Sequence, residues 1–264
     1  ALKPERIIVG SHNKKIPNIL HNFYDKFSKK IIITNYETAE LSKLSINLYL
    51  SSSVALTNTI NELSKKLGSD WLDLKEILKL DNRIGKHSYL DPGLGMSGGN
   101  LERDHINFIN LSNLYKTNNN LVKSFLMNSK YQKDNFIKLI RKNIKNYKSI
   151  FIYGITYKED TNSTKNSIAI DIINKFYLKC NIYYFDINLA NSIEKNHKNL
   201  TYVPSEKFKN INSNVFIFLH KPTVDQQRLF FRYYNHKCVI FDPYSYIDQI
   251  FIKKFSKNMN YFNL

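Results

Sequence analysis

Cysteine, arginine and glycine are scarce in this chain, and each shortage closes off a class of explanation. Cys180 and Cys238 are the only thiols in 264 residues, far apart and each beside apolar neighbours, so they read as reduced core residues and not as a disulfide framework. Neither they nor the seven histidines stand at metal-ligand spacing, and no structural or catalytic metal is expected. No run of about 18 apolar residues occurs, which excludes a transmembrane helix, and no charged-then-apolar leader opens the sequence. A cytoplasmic protein without a membrane partner is the expectation. The opening, Pro4-Glu5-Arg6-Ile7-Ile8-Val9-Gly10, is a turn running straight into a strand, which suggests a chain cut from a longer one.

Arginine occurs only at 6, 83, 103, 141, 228 and 232, although the formal charge is +17. Lysine therefore carries the charge, whereas base-reading interfaces favour the bidentate fork of arginine. Lysine, asparagine, isoleucine, tyrosine and phenylalanine are abundant together, which fits a codon bias toward A and T, and no nucleic-acid partner is expected. A polyanion-binding surface ranks behind every other reading, but an anionic nucleotide would still be welcomed by the field. With 42% apolar residues the chain can bury a sizeable core.

Periodicity sets the organisation. Residues 5–10 and 30–34 read as short strands around a helix from Ile16 to Phe27. A long helix follows from Thr38 to about Lys66, with Leu41, Leu44, Leu48, Val54, Ile60 and Leu63 as its apolar stripe and Gly68 as its stop. At roughly 1.5 Å per residue it is about 40 Å long, enough for a central spine or dimer element. A second helix spans Asp70 to Leu80, and helical sequence runs from about Asp104 to Lys145 with a break near residues 116–120. From Lys148 strands and helices alternate: 149–154, 167–178, 182–186, 189–195, 215–219, 224–234 and 238–242. That alternation predicts a doubly wound α/β domain on a parallel sheet.

Four of the eight glycines fall within residues 93–99, where the backbone must turn sharply or meet something closely. Gly93-Leu94-Gly95-Met96-Ser97-Gly98 fits a dinucleotide fingerprint in letters only, because no apolar strand precedes it. Glu40, Lys43 and Asn47 share one helix face, either a solvated one or, if the glycine loop folds over it, one where a lysine meets a developing oxyanion. The stretch from Gly154 through Lys158 to Lys165-Asn166-Ser167 is a strand exit, a polar loop and a helix start, suited equally to a phosphate or to an ordinary capped helix. Asp186 ends the next strand, where such folds often keep a carboxylate near a ribose.

In register, these patterns resemble the UDP-glucose/GDP-mannose dehydrogenase family over nearly the whole chain. Glu40-Leu41-Ser42-Lys43 with Asn47 is similar to the start of the family's central helix, Asp81-Asn82-Arg83-Ile84-Gly85 matches its Asp-x-Arg-Ile-Gly, and Pro92 through Asp104 resembles its active-site loop. Tyr157-Lys158-Glu159-Asp160-Thr161 and Lys165-Asn166-Ser167 resemble the entry to its C-terminal domain. The resemblance implies three parts: a remnant of an NAD-binding domain over 1–35, a central helical dimerisation domain over 36–146, and a Rossmann-like nucleotide-sugar domain over 147–264. It implies NAD as cofactor, a nucleotide sugar as substrate and a homodimer through the central helix. Among residues it points to Lys43 as oxyanion stabiliser, Asn47 as its companion and Asp104 as the partner that activates water. Gly98, Gly99, Lys158 and Lys165 would contact substrate or nucleotide, and Arg83 would reach substrate across a dimer.

Two departures change the expected chemistry. The family oxidises a primary alcohol to a carboxylate in two hydride transfers, holding the aldehyde on a cysteine. That cysteine falls on Asn100 here. An amide cannot act as the nucleophile, although it can donate a hydrogen bond to an oxyanion, so the two-step oxidation loses its covalent carrier. The family's arginines near the nucleotide appear as Lys165 and, within Phe241-Asp242-Pro243-Tyr244, as Tyr244. A non-catalytic nucleotide-sugar-binding or assembly module is the alternative to an oxidoreductase.

Overall fold

Strands β1 (Ile7–Gly10) and β2 (Ile31–Thr34) pair in parallel, with helix α1 (Ile16–Tyr24) as the crossover that a parallel pair requires. The computed structural model describes residues 3–13, 16–144, 148–189, 199–233, 237–255, 257 and 259–264. Helix α2 (Tyr36–Leu67) starts where the Asn35 side chain accepts the N–H of Thr38, and stops at Gly68, whose φ of 74° closes the last turn onto Ser64 and Lys65. A Cβ on Gly10 would stand 2.9 Å from Ala39 Cβ, so glycine is what lets β1 lie against α2. Helix α3 (Trp71–Leu80) is capped by Asp70, and α4 (Gly99–Leu114) and α5 (Asn120–Asn143) follow with their break at residues 115–119.

The buried face of α2 is the reverse of the expected one. Its buried side chains are Asn47, Ser51, Thr57, Asn58, Asn61 and Ser64. Leu41 and Leu63 of the expected apolar stripe are 49% and 58% exposed, and Leu44, Leu48, Val54 and Ile60 are only half-buried. The helix turns its polar stripe toward α4 and the glycine loop because those neighbours offer hydrogen-bonding groups: Asp104 to Asn47, and the Gly93 N–H to Asn58. A pattern of hydrophobicity assigns the inner face only where the core is dry.

Beyond α5 come β3 (Ser149–Tyr153), α6 (Ile168–Phe176), β4 (Asn181–Phe185), β5 (Leu200–Tyr202), a 3-10 turn (Ser205–Asn210), β6 (Val215–Phe218), α7 (Val224–Tyr233), β7 (Cys238–Phe241), α8 (Gln249–Phe255) and β8 (Met259–Phe262). All pairs are parallel, in the order β5-β4-β3-β6-β7-β8. This is the doubly wound arrangement, with β3 at the centre and the order reversing between β3 and β6. Sheet parity divides the core. Ile150 and Ile152 point to the side of α5 and α6, while Phe151 and Tyr153 join Phe208, Phe230 and Phe231 on the other. Phe136 of α5 meets Phe241 edge-on at 6.1 Å, so the central helices and the sheet share one core. The helix expected over 189–195 lies, from residue 190 on, outside the described residues; β5, α8 and β8 were not anticipated. No described helix is long and apolar enough to cross a membrane.

Candidate functional site

The reversal of strand order opens a crevice at the carboxyl ends of β3 and β6, and a cleft of about 960 Å³ occupies it. One wall is made by the loops leaving β3, β6 and β7, among them Tyr157, Lys158, Lys221 and Tyr244. The other is made by α2, the start of α3 and the glycine loop, through Asn61, Lys65, Trp71 and Gly93. Hydrogen bonds set this second wall: Asn58 Oδ1 accepts the Gly93 N–H at 2.8 Å, the Ser129 hydroxyl oxygen accepts the Met96 N–H at 2.8 Å, and Trp71 Nε1 donates to Leu90 O at 3.2 Å.

Three lysines and three carboxylates line the cleft. Its carboxylates have other work: Asp70 caps α3, Asp91 pairs with Lys75, and Glu159 accepts the Lys221 N–H at 2.6 Å. Lys65, Lys158 and Lys221 remain, with Lys65 Nζ donating to Asn263 O at 3.0 Å and Lys158 Nζ 5.7 Å from the Tyr157 ring centroid. Tyr244 and Tyr246 lie with ring centroids 5.2 Å apart. Burial pushes the Tyr246 hydroxyl up to about 12 and that of Tyr244 upward too, so both are neutral phenols at neutral pH. Aromatic faces, phenol hydroxyls and lysines suit a ligand with a flat ring and an anionic chain.

Nearer the start of α2, that helix and α4 bring predicted residues together. Asn47 Nδ2 donates to Asp104 Oδ2 at 2.5 Å, both side chains being buried, and Arg103 holds the other oxygen with Nη2 at 3.2 Å. Lys43 lies one turn before Asn47, and Asn100 one turn before Asp104, both exposed. The two pairs therefore flank the single Asn47 to Asp104 bond, Lys43 and Asn47 from α2, Asn100 and Asp104 from α4.

The predicted glycines and lysines meet at the start of α4. Gly98 caps it with a φ of 76°, and a Cβ there would lie 2.7 Å from the Tyr157 ring. A Cβ on Gly99 would lie 2.6 Å from Cδ of Lys165. Tyr157 thus belongs both to the cleft wall and to the turn that carries Asn100. Lys158 lines the cleft; Lys165 lies over Gly99 instead. Arg83 stands apart, exposed and held by Asp81 through Nε at 3.0 Å and Nη2 at 2.6 Å.

Asp186 does not face a ligand. It is 1% exposed and its oxygens accept the N–H groups of Ile155, Thr156 and Asn188 at 2.7, 2.9 and 2.8 Å. Burial opposes its charge, yet those backbone donors, from Thr156 and Ile155 above all, hold its carboxyl below the usual value. It fixes the exit of β3, where Gly154 packs so tightly that a Cβ would lie 2.4 Å from the His220 ring.

The described residues do not form a dinucleotide cradle. Gly10, the only glycine at a strand end in the β1–β2 unit, is taken up by Ala39, and Gly93, Gly95 and Gly98 are closed off by Tyr244, Ser129 and Tyr157. Among the described residues no three His, Cys, Asp or Glu side chains gather as a metal ion would need.

Sequence reasoning missed Asn58, Asn61, Lys65, Trp71, Lys221 and Tyr246. A signal for the first three was present: Glu40, Lys43, Asn47, Ser51, Val54, Asn58, Asn61 and Lys65 succeed one another at steps of three and four, one helix face throughout.

A family described as the UDP-glucose/GDP-mannose dehydrogenase family, central domain, matches residues 37–130. The UDP-glucose 6-dehydrogenase of Rickettsia typhi is 33% identical over 216 residues, 77% of this chain and 49% of the relative. That of Bacillus subtilis is 25% identical over 171 residues, 64% of this chain and 37% of the relative. The chain spans about half the length, or less, of these curated relatives. In fold, a UDP-glucose dehydrogenase from Pyrobaculum islandicum superposes with a TM-score of 0.80 at 20% identity, over 98% of this chain and 58% of that one. A UDP-N-acetyl-mannosamine dehydrogenase from Staphylococcus aureus superposes with a TM-score of 0.70 at 21% identity, over 99% and 59%.

Proposed function

We propose, from the premise that this chain belongs to the UDP-glucose/GDP-mannose dehydrogenase family, that it is the substrate-binding and dimer-forming portion of a nucleotide-sugar dehydrogenase. The observation that carries this is the lysine- and tyrosine-lined cleft at the β3/β6 reversal, which shares helix α2 with the Asn47 to Asp104 bond. A nucleoside diphosphate lies in the cleft, with Lys158 and Lys221 countering its charge. Its sugar reaches the start of α4, where Gly98 and Gly99 let Tyr157 and Lys165 approach closely and Lys43, Asn47, Asn100 and Asp104 supply polar groups. NAD would be held by residues this chain does not contain, and the division into 1–35, 36–146 and 147–264 describes that arrangement.

These side chains bind and orient. An exposed ammonium at Lys43 offers charge to an oxygen of the reacting carbon, and Asp104, fixed by Asn47 and Arg103, offers its carboxylate as an acceptor for water. Asn100 donates hydrogen bonds but forms no covalent bond to an aldehyde. The expected chemistry is therefore one oxidation of a CH–OH, with the second step unsupported by this loop. The exposed leucines of α2 support a homodimer through that helix. A cytoplasmic setting fits such a substrate.

Asn100 also favours the second reading, a nucleotide-sugar-binding or assembly module without turnover. Calorimetry with UDP-glucose and GDP-mannose tests the shared part: binding of either is expected, and binding of neither overturns both readings. With a dinucleotide-binding partner domain supplied, reduction of NAD favours the dehydrogenase and its absence the module.

A further inference from the structure

The α2 wall of the cleft holds a side chain that neither the fold nor the reactive cluster accounts for. Asn61 is 5% exposed, lines the cleft, and its Oδ1 has no hydrogen-bond partner among the described residues. A buried carboxamide oxygen without a donor costs free energy unless water or a ligand supplies one. One turn earlier Asn58, 4% exposed, spends its Oδ1 on Gly93 and leaves Nδ2 without a partner. Near them Trp71 and Tyr246 line the same cleft, flat faces of the kind on which a heterocycle stacks. The lysines of the opposite wall, Lys158 and Lys221, are the groups suited to phosphate. Trp71, Lys65 and the carboxamides stand on the α2 side, and Lys158, Lys221 and the tyrosines on the other, so a base can rest against the first wall while its phosphates meet the second.

We propose that Asn61 reads the base of the bound nucleotide, its Oδ1 accepting a ring N–H, so that α2 sets nucleobase recognition while the C-terminal loops hold the phosphates. This rests on the nucleotide site proposed above and adds a specificity-determining residue to it. Because Asn58 fixes the Gly93 N–H, it sets the distance between that base and the glycine loop.

Calorimetry of the 264-residue chain with uridine diphosphate, N3-methyluridine diphosphate and inorganic diphosphate tests the assignment without requiring a variant to fold. Methylation removes the base N–H and leaves the phosphates unchanged, so the methylated nucleotide should bind the wild-type chain about tenfold more weakly. In Asn61→Leu, checked for an unchanged melting temperature, the two nucleotides should bind alike, and inorganic diphosphate should bind as it does to wild type. Equal affinity of the two nucleotides for the wild-type chain overturns the role of Asn61 while leaving the nucleotide site standing. No binding of uridine diphosphate at all overturns the nucleotide site, and the role of Asn61 with it.

Discussion

The C-terminal sheet and helix α2 solve burial in opposite ways. In the sheet, Ile150, Phe151 and Ile152 are 0% exposed, and both faces of β3 are apolar because helices cover both. On α2, asparagines and serines are inside, while Tyr49, Leu56, Leu63 and Leu67 are 78, 62, 58 and 74% exposed. A sheet flanked by helices finishes its core within one chain. A helix with leucine outward and asparagine inward leaves both faces for others to complete, which is where the proposed nucleotide and second copy enter.

The contrast is broken most forcefully in the sheet. Ile152→Ala should lower unfolding free energy by about 2–5 kcal/mol, read from urea denaturation, since the site is closed on all sides and collapses poorly. A loss below about 1 kcal/mol would mean that the sheet is looser than its burial implies.

Asp186→Ala should cost about 1–3 kcal/mol, because the N–H groups of Ile155 and Thr156 lose a buried acceptor. The pH dependence has a defined sign. A carboxyl whose pKa is lowered by folding contributes stability that is complete above its unfolded value of about 4 and is lost as pH falls through the lowered folded value. Asp242 works the other way: burial above all raises its pKa, so its ionisation weakens the fold as pH rises from about 4 through the raised value. The acid limb of wild-type stability should flatten in Asp186→Ala, and an unchanged limb would remove Asp186 as its source.

Gly98→Ala sharpens the link between the two regions. A Cβ there meets the Tyr157 ring on a backbone at positive φ, so nucleotide affinity should fall about tenfold, measured by calorimetry, as Tyr157 is displaced from the cleft wall. Unchanged affinity would separate the start of α4 from the cleft. The smallest effect on folding belongs to the exposed face of α2. Leu63→Glu should change unfolding free energy by less than about 0.5 kcal/mol yet shift sedimentation from dimer to monomer. A wild-type chain that sediments as a monomer would leave the apolar face without its expected occupant.

Much of the fold was legible because its period is local. Apolar runs at 149–153 and 215–218 separated by amphipathic stretches announce βαβ units whatever surrounds them. The edge strand Leu200–Tyr202 was not legible, since three residues carry no period, and β8 is only four residues long with Asn260 inside it. In the candidate site, Lys43, Asn47, Asn100 and Asp104 could be named from motif and spacing, and Asn47 and Asp104 are in contact. Trp71 and Tyr246 could not, because they lie far apart in sequence and meet the cleft only through the fold.

By itself the sequence determined the order of the longer elements, an asparagine at position 100 where the resemblance expects a cysteine, and the scarcity of arginine, since these depend on residue identity and short-range spacing. Only the tertiary structure decided which face of α2 turns inward and that Asp186 serves the backbone. Burial and hydrogen bonding depend on what the neighbouring segments present: Asp104 for Asn47, Gly93 for Asn58, and two backbone N–H groups of the β3 exit for Asp186.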